Sequence, residues 1–195
     1  MTWVSLTPCY QSSTSQSKLL LDFREFWALL SDPPNRRAWN GQGADTMTAR
    51  DTADILLVED SAQDAELALA ALQSRNLGHK VVLAVDGEEA MQFICASSVS
   101  AVWNNENVPK VILLDLKLRQ MGGMEVLQQL KSEARTRSIP VVVLTGSIDE
   151  DEMRECYQLG VNSYVAKPAD AGKFVKLVGE IAHYWLTVNQ PAPLK

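Results

Sequence analysis

From about residue 54 the chain alternates between two patterns of apolar and polar positions. Short, uninterrupted apolar runs (Ile55–Val58, Val81–Val85, Val111–Leu114, Val141–Leu144 and Tyr164–Ala166) are separated by stretches whose apolar residues recur every three or four positions. An unbroken run of this length predicts a strand buried on both faces, as in a parallel sheet covered by helices. The wider spacing predicts amphipathic helices.

The first helix has Ser61 as N-cap with Asp64 three residues on, an inward face of Ala65, Ala68, Leu69 and Leu72, and an end near Gly78. The second, capped by Asp86, turns Ala90, Met91 and Ile94 inward, and an Asn-rich loop around Asn104 to Asn107 leads to the third strand. Val126, Leu127 and Leu130 mark the third helix. Met153, Cys156 and Tyr157 mark the fourth, which Gly160 stops. Phe174, Leu177, Val178, Ile181 and Trp185 form the stripe of the fifth. Five βα units in roughly 130 residues make one α/β domain.

Residues 1–50 read differently. Gln11–Ser17 is rich in Ser and Gln, Pro33-Pro34 precedes Arg36-Arg37, and Gly41–Asp45 is small and polar. Such composition does not build a packed core. The expected division is a poorly ordered extension over 1–50, a domain over 51–188 and a tail over 189–195. Met47 is a candidate start of the native protein, a reading that native peptides upstream of it would reject. Leu19–Leu30 is apolar but broken by Asp22, Arg24 and Glu25, and reads as loose extension rather than as a membrane-touching helix.

Composition narrows the function. At 195 residues and 46% hydrophobic the chain can bury one full core, and a net charge of −6 argues against a nucleic-acid binder, which needs a basic face. Three cysteines with no C-x-x-C spacing fit a reducing compartment rather than a disulfide or zinc framework, and Cys95 and Cys156 fall on apolar helix faces. There is neither a spanning apolar run nor a secretory start. The expectation is a cytoplasmic protein without nucleic-acid or membrane partners.

The chemistry gathers at the strand ends, where open parallel sheets bind ligands. The first strand runs into Glu59 and Asp60, the third into Asp115, the fourth into Thr145 and the fifth into Lys167. Each alone reads as a surface polar residue. Together, three carboxylates, a hydroxyl and an ammonium make a site for a hard dication and a phosphoryl group. Asp115, directly behind four apolar residues, is the candidate nucleophile, since a carboxylate can hold phosphorus as an acyl phosphate. Lys167-Pro168 invites a cis peptide.

The set resembles the receiver domain of two-component response regulators. The motifs are ILLVEDS (55–61), VILLDLKL (111–118) with Gly123 eight residues past Asp115, VVVLTGS (141–147) and SYVAKP (163–168). Thr145 follows Asp115 by 30 positions, and Lys167 follows Thr145 by 22. The resemblance covers about Asp54 to Trp185 and implies a flavodoxin-like (βα)5 doubly wound parallel sheet, strand order 2-1-3-4-5. It implies Asp115 as phosphoacceptor and Glu59 and Asp60 as the acidic metal pair. Together with Asp115 and the backbone carbonyl of Lys117, that pair would hold Mg²⁺ (or Mn²⁺). Thr145 and Lys167 become the phosphoryl-contacting pair, and Tyr164 the aromatic switch residue.

The implied donor is a sensor histidine kinase or a histidine phosphotransfer protein. Phosphorylation would draw Thr145 inward, let Tyr164 rotate after it, and remodel the fourth helix, fifth strand and fifth helix, about residues 149–186. Homodimerisation through that face is expected, with Tyr184 the better contact because Trp185 continues the core stripe. Only ten residues follow Trp185, too few for an output domain, so the message would leave by protein contact.

Departures from the family pattern carry expectations of their own. Arg119 stands where many receivers have proline, which predicts a more mobile loop. Lys117 flanks the path of hydrolytic water and Ser147 offers only a short hydroxyl, so self-dephosphorylation should be slow; a Lys117→Asn variant losing phosphate more slowly would contradict this. The long loop at 99–109 and the ending HYWL (183–186) are similar to stand-alone regulators paired with bacterial phytochromes. The rival enzyme reading, a phosphatase of the haloacid dehalogenase type, wants a second Asp where Lys117 stands. A receiver-like module that is never phosphorylated is the other rival. The expected behaviour is stoichiometric labelling, not turnover.

Overall fold

The computed structural model describes residues 53–76, 81–99, 108–146 and 148–191. The N-terminal extension with Leu19–Leu30 and Met47, together with Cys9, Gly78, the Asn-rich loop and Ser147, lies outside the described residues.

Among the described residues ten elements alternate: β1 (Ile55–Val58), α1 (Ala62–Ser74), β2 (Val81–Ala84), α2 (Gly87–Val99), β3 (Val111–Asp115), α3 (Gly123–Ser132), β4 (Val141–Thr145), α4 (Glu150–Leu159), β5 (Ser163–Ala166) and α5 (Ala171–His183). A single π-helical turn, Tyr184–Val188, prolongs α5, closed by the Asn189 N–H donating to the Tyr184 carbonyl at 2.8 Å. The strands are all parallel, in the order β2-β1-β3-β4-β5. This is the expected flavodoxin-like doubly wound sheet.

Successive strand residues point to opposite faces, and here both faces are buried. Leu56, Val58, Ile112, Leu114, Val141 and Val143 meet Ala90, Ile94, Val126, Leu127, Leu130 and Cys156 from α2, α3 and α4. Ile55, Leu57, Val111, Leu113, Val142 and Leu144 meet Ala68, Ala71, Leu72, Phe174, Val178 and Ala182 from α1 and α5. The unbroken apolar runs follow from this arrangement, since no strand position of β1, β3 or β4 faces water.

Caps fix the helix starts. Ser61 Oγ accepts from the Asp64 N–H at 3.3 Å, Asp86 Oδ1 from Glu89 at 2.7 Å, Asp149 Oδ1 from Asp151 and Glu152 at 2.9 and 3.0 Å, and Asp170 Oδ1 from Lys173 at 2.7 Å. Gly160, at φ 94°, ends α4 in the left-handed region where glycine is favoured.

Several details differ from the sequence reading. β2 stops at Ala84 because the Val85 N–H is taken by Glu89 Oε2 at 2.8 Å, as part of the α2 start. α1 ends at Ser74, followed by Asn76 at φ 58°, so the helix closes before Gly78. Ala71 takes the buried place expected of Leu69, which is half-buried. In α4 only Cys156 is buried, while Tyr157, rotated one residue off that line, is exposed. The Lys167–Pro168 bond is trans, not cis. Gly179 and Ala182 join Phe174 and Val178 on the buried face of α5, with Leu177, Ile181 and Trp185 half-buried beside them.

Candidate functional site

The register of the sheet explains which side chains meet. Val58 pairs with Leu114 across β1 and β3, so Glu59 and Asp115 come next at adjacent tips. By the two-residue alternation, Glu59 follows Leu57, Asp115 follows Leu113 and Lys167 follows Val165, all on the face covered by α1 and α5. Thr145 and Tyr164 share the other face, since Tyr164 pairs with Val143 and Thr145 with Ala166. Lys167 is placed by its own backbone N–H, which donates to the Thr145 carbonyl at 2.7 Å.

The result is a dense ionic centre. Lys167 Nζ lies 2.6 Å from Glu59 Oε2, 2.7 Å from Asp115 Oδ2 and 3.0 Å from Asp64 Oδ2. Glu59, Asp115 and Thr145 are buried polar residues. Asp115 Oδ1 also accepts the Lys117 backbone N–H at 3.0 Å, and Glu59 Oε1 the Ser61 N–H at 3.2 Å. Asp60 points its Oδ2 toward Arg119 Nε at 3.3 Å; the Arg119 side chain is otherwise largely in solvent.

Three carboxylates share one ammonium, and the acid–base balance reflects it. Burial pushes the Glu59 carboxyl up to about 7 against the hydrogen bond and charge of Lys167, and the charge of Asp115 adds to the rise. Burial opposes the Lys167 charge as well. Hydrogen bonds to Asp115 and Glu59, and the negative charge of both, outweigh that and hold the ammonium above the usual lysine range. The centre is therefore short of positive charge.

Its donor set suits a hard dication. One oxygen each from Glu59, Asp60 and Asp115 lies within 4.8 Å of the others, an all-carboxylate grouping of the kind Mg²⁺ or Mn²⁺ accepts. The Gly123 N–H donates to the Leu116 carbonyl at 3.1 Å, which brings the start of α3 against this tip.

On the opposite face, Tyr164 donates its hydroxyl to Glu152 Oε1 on α4 at 2.7 Å. Burial first, then that hydrogen bond and the Glu152 charge, push the phenol up to about 12, so it stays a donor. The Lys117 side chain is exposed. The structure thus brings Glu59, Asp60, Asp115 and Lys167 together and puts Thr145 at the neighbouring tip. Sequence reasoning missed Asp64 except as a helix-start residue. Yet it lies four and seven positions before the buried Ala68 and Ala71, on the stripe that faces the sheet.

Sheet order, strand-tip acids and the Asp115–Lys167 pair define a doubly wound α/β module with an acidic strand-tip site, and the chain belongs to the response regulator receiver domain family, whose model matches residues 55–179. Among relatives, response regulator Rcp1 of Synechocystis is 39% identical over 139 residues, 71% of this chain and 92% of Rcp1. The crystal structure of phosphorylated RcpA, a cyanobacterial phytochrome response regulator, is 37% identical with a TM-score of 0.63, and the match covers 72% of this chain and 98% of that one. The Mn²⁺-bound form of Rcp1 gives 36% identity and a TM-score of 0.62 over 71% of this chain and 97% of that one. The family match displaces the haloacid dehalogenase reading. Among the described residues no helix is long and apolar enough to cross a membrane.

Proposed function

We propose that the chain is a phosphorylation-driven switch that receives a phosphoryl group on Asp115 and passes the signal by protein contact. The donor is a histidine kinase or a histidine phosphotransfer protein, and the setting is the cytoplasm. One observation carries the reading: Lys167 Nζ sits 2.7 Å from Asp115 Oδ2 beside the three-carboxylate cluster.

Glu59, Asp60, Asp115 and the backbone carbonyl of Lys117 would hold Mg²⁺ or Mn²⁺. A bound dication supplies neutralisation of the attacking carboxylate and of the phosphoryl oxygens. One Asp115 oxygen forms the bond to phosphorus as the P–N bond of the donor phosphohistidine breaks, the electron pair leaving with the imidazole nitrogen. Lys167 and the Thr145 hydroxyl serve the phosphoryl oxygens. The Lys117 N–H, already on Asp115 Oδ1, fixes which oxygen is held. The event is stoichiometric, one label per chain, rather than multiple-turnover catalysis.

The output runs through Thr145 and Tyr164 on the other face of the sheet. Tyr164 is tied to α4 by Glu152, so its movement would reshape the α4–β5–α5 surface. That surface is the docking face for a target or for a second copy, where Tyr184 stands exposed. The phosphorylated state of RcpA and the Mn²⁺ in Rcp1 support the reading by analogy.

The test is incubation with acetyl phosphate and Mg²⁺ and separation on a phosphate-affinity gel. A retarded band that EDTA and Asp115→Asn both abolish is expected. A folded parent that gives no such band would overturn the proposal.

A further inference from the structure

An ammonium has three N–H bonds, and all three of Lys167 are spent: on Glu59, on Asp115 and on Asp64. The three acceptors differ in what else they have to do. Glu59 and Asp115 belong to the carboxylate cluster that fits a cation, and Asp115 is also the phosphoacceptor. Asp64 belongs to neither role: it is absent from that cluster and lies on the first turn of α1. Its side chain is about one-third exposed and lines a small cavity together with Gln63, Leu67, Pro168 and Phe174.

With Glu59 and Asp115 engaged by a cation, the contacts at 2.6 and 2.7 Å would weaken, while nothing in that engagement draws on the 3.0 Å contact to Asp64. Until a phosphoryl group arrives for it to contact, a lysine loosened from both could swing away on its flexible four-carbon stem. We propose that Asp64 is the positioning residue for Lys167, keeping the ammonium beside the tip of β3 while Glu59 and Asp115 serve cation and phosphoryl group. The reading rests on the proposed phosphorylation of Asp115. Asp64 acts through Lys167 and touches neither cation nor phosphorus.

The experiment uses the full chain as parent, Asp64→Asn, Asp64→Glu, Lys167→Gln and the Asp64→Asn/Lys167→Gln double variant, each shown folded by circular dichroism. Two quantities are read: Mg²⁺ affinity by calorimetry, and the rate of labelling by acetyl phosphate at saturating Mg²⁺. A partly exposed ion pair of this kind predicts about a 2- to 5-fold slower labelling for Asp64→Asn. Mg²⁺ affinity should stay within about twofold, as for a residue that is not a ligand. Asp64→Glu, which keeps the charge, should recover most of the rate. In the Lys167→Gln background, Asp64→Asn should cause no further loss, because the two act as one unit.

Labelling of Asp64→Asn at the parental rate would overturn the proposal, as would losses that add in the double variant or a fall in Mg²⁺ affinity parallel to the fall in rate. A folded parent that takes up no label defeats the phosphoacceptor reading itself, a result distinct from all of these.

Discussion

At Gly123 the chain meets a contact that leaves no room for a side chain. A Cβ there would stand 2.1 Å from the Asp115 carbonyl oxygen and 2.6 Å from Leu116 Cα, so α3 could not begin against the strand tip. Gly123→Ala is expected to cost about 1–3 kcal/mol of stability, the usual range for forced overpacking. Urea denaturation would read the loss, and acetyl phosphate labelling should slow with it because the Asp115 peptide is displaced. The sequence showed that a glycine stands at this interval but not why; only the closeness of two backbones supplies the reason. Glu59, Asp115 and Lys167 were legible because each follows an apolar run directly, which sets its height in the sheet. Asp64 was not, since the Ser61 cap offered a sufficient account of it. Which N–H bonds of Lys167 go where is a tertiary fact that no spacing states.

Among the elements, α3 is anchored at its far end by a lysine rather than by a glycine cap. Lys131 Nζ donates to the carbonyls of Ile139 at 2.8 Å and Arg137 at 3.2 Å, and to Asn162 Oδ1 at 3.1 Å, while Asn162 Oδ1 also accepts the Val141 N–H at 2.9 Å. Burial pushes this ammonium down to about 8 from its ordinary 10.5. Between those values the unfolded chain binds more protons than the folded one, so this group's contribution to stability rises with pH across the window. Denaturation midpoints taken near pH 7.5 and pH 10 should show that increment in the parent and lack it in Lys131→Met. The variant should also lose stability at pH 7.5, because three oxygens lose their donor. Equal pH slopes in the two proteins would refute the assignment. The helix starts at Ser61 and Asp86 and the stop at Gly160 were readable because their capping chemistry is local, whereas the cap at Asp149 was not singled out. The end of β2 was misjudged, since a side chain of the next helix claims the Val85 amide. In α4 the apolar pattern was too sparse to tell which residue faces inward, and Tyr157 proved to be outside.

For the molecule as a whole, the shortage of positive charge at the sheet edge predicts that cation binding would be coupled to folding. A dication that binds only the folded chain adds about 1.4 kcal/mol at ten times its dissociation constant. Thermal unfolding should therefore shift upward by a few degrees in Mg²⁺, an effect EDTA reverses and Asp60→Asn diminishes; no shift for the parent would speak against a cation site. The overall architecture was legible because strands buried on both faces leave unbroken apolar runs, and their alternation with helical patterns is that of a parallel sheet covered by helices. The margins were less so: α5 runs on into the π-helical turn, past the point at residue 179 where the family model ends.

Glu59 and the lysine that pairs with it stand 108 residues apart, at the first and last strands among the described residues. A nascent chain that stops short of the fifth strand would bring Glu59 and Asp115 together without the ammonium that bridges them, and their mutual repulsion would hold the edge open. The complete ionic centre would therefore assemble only once the fifth strand is in place.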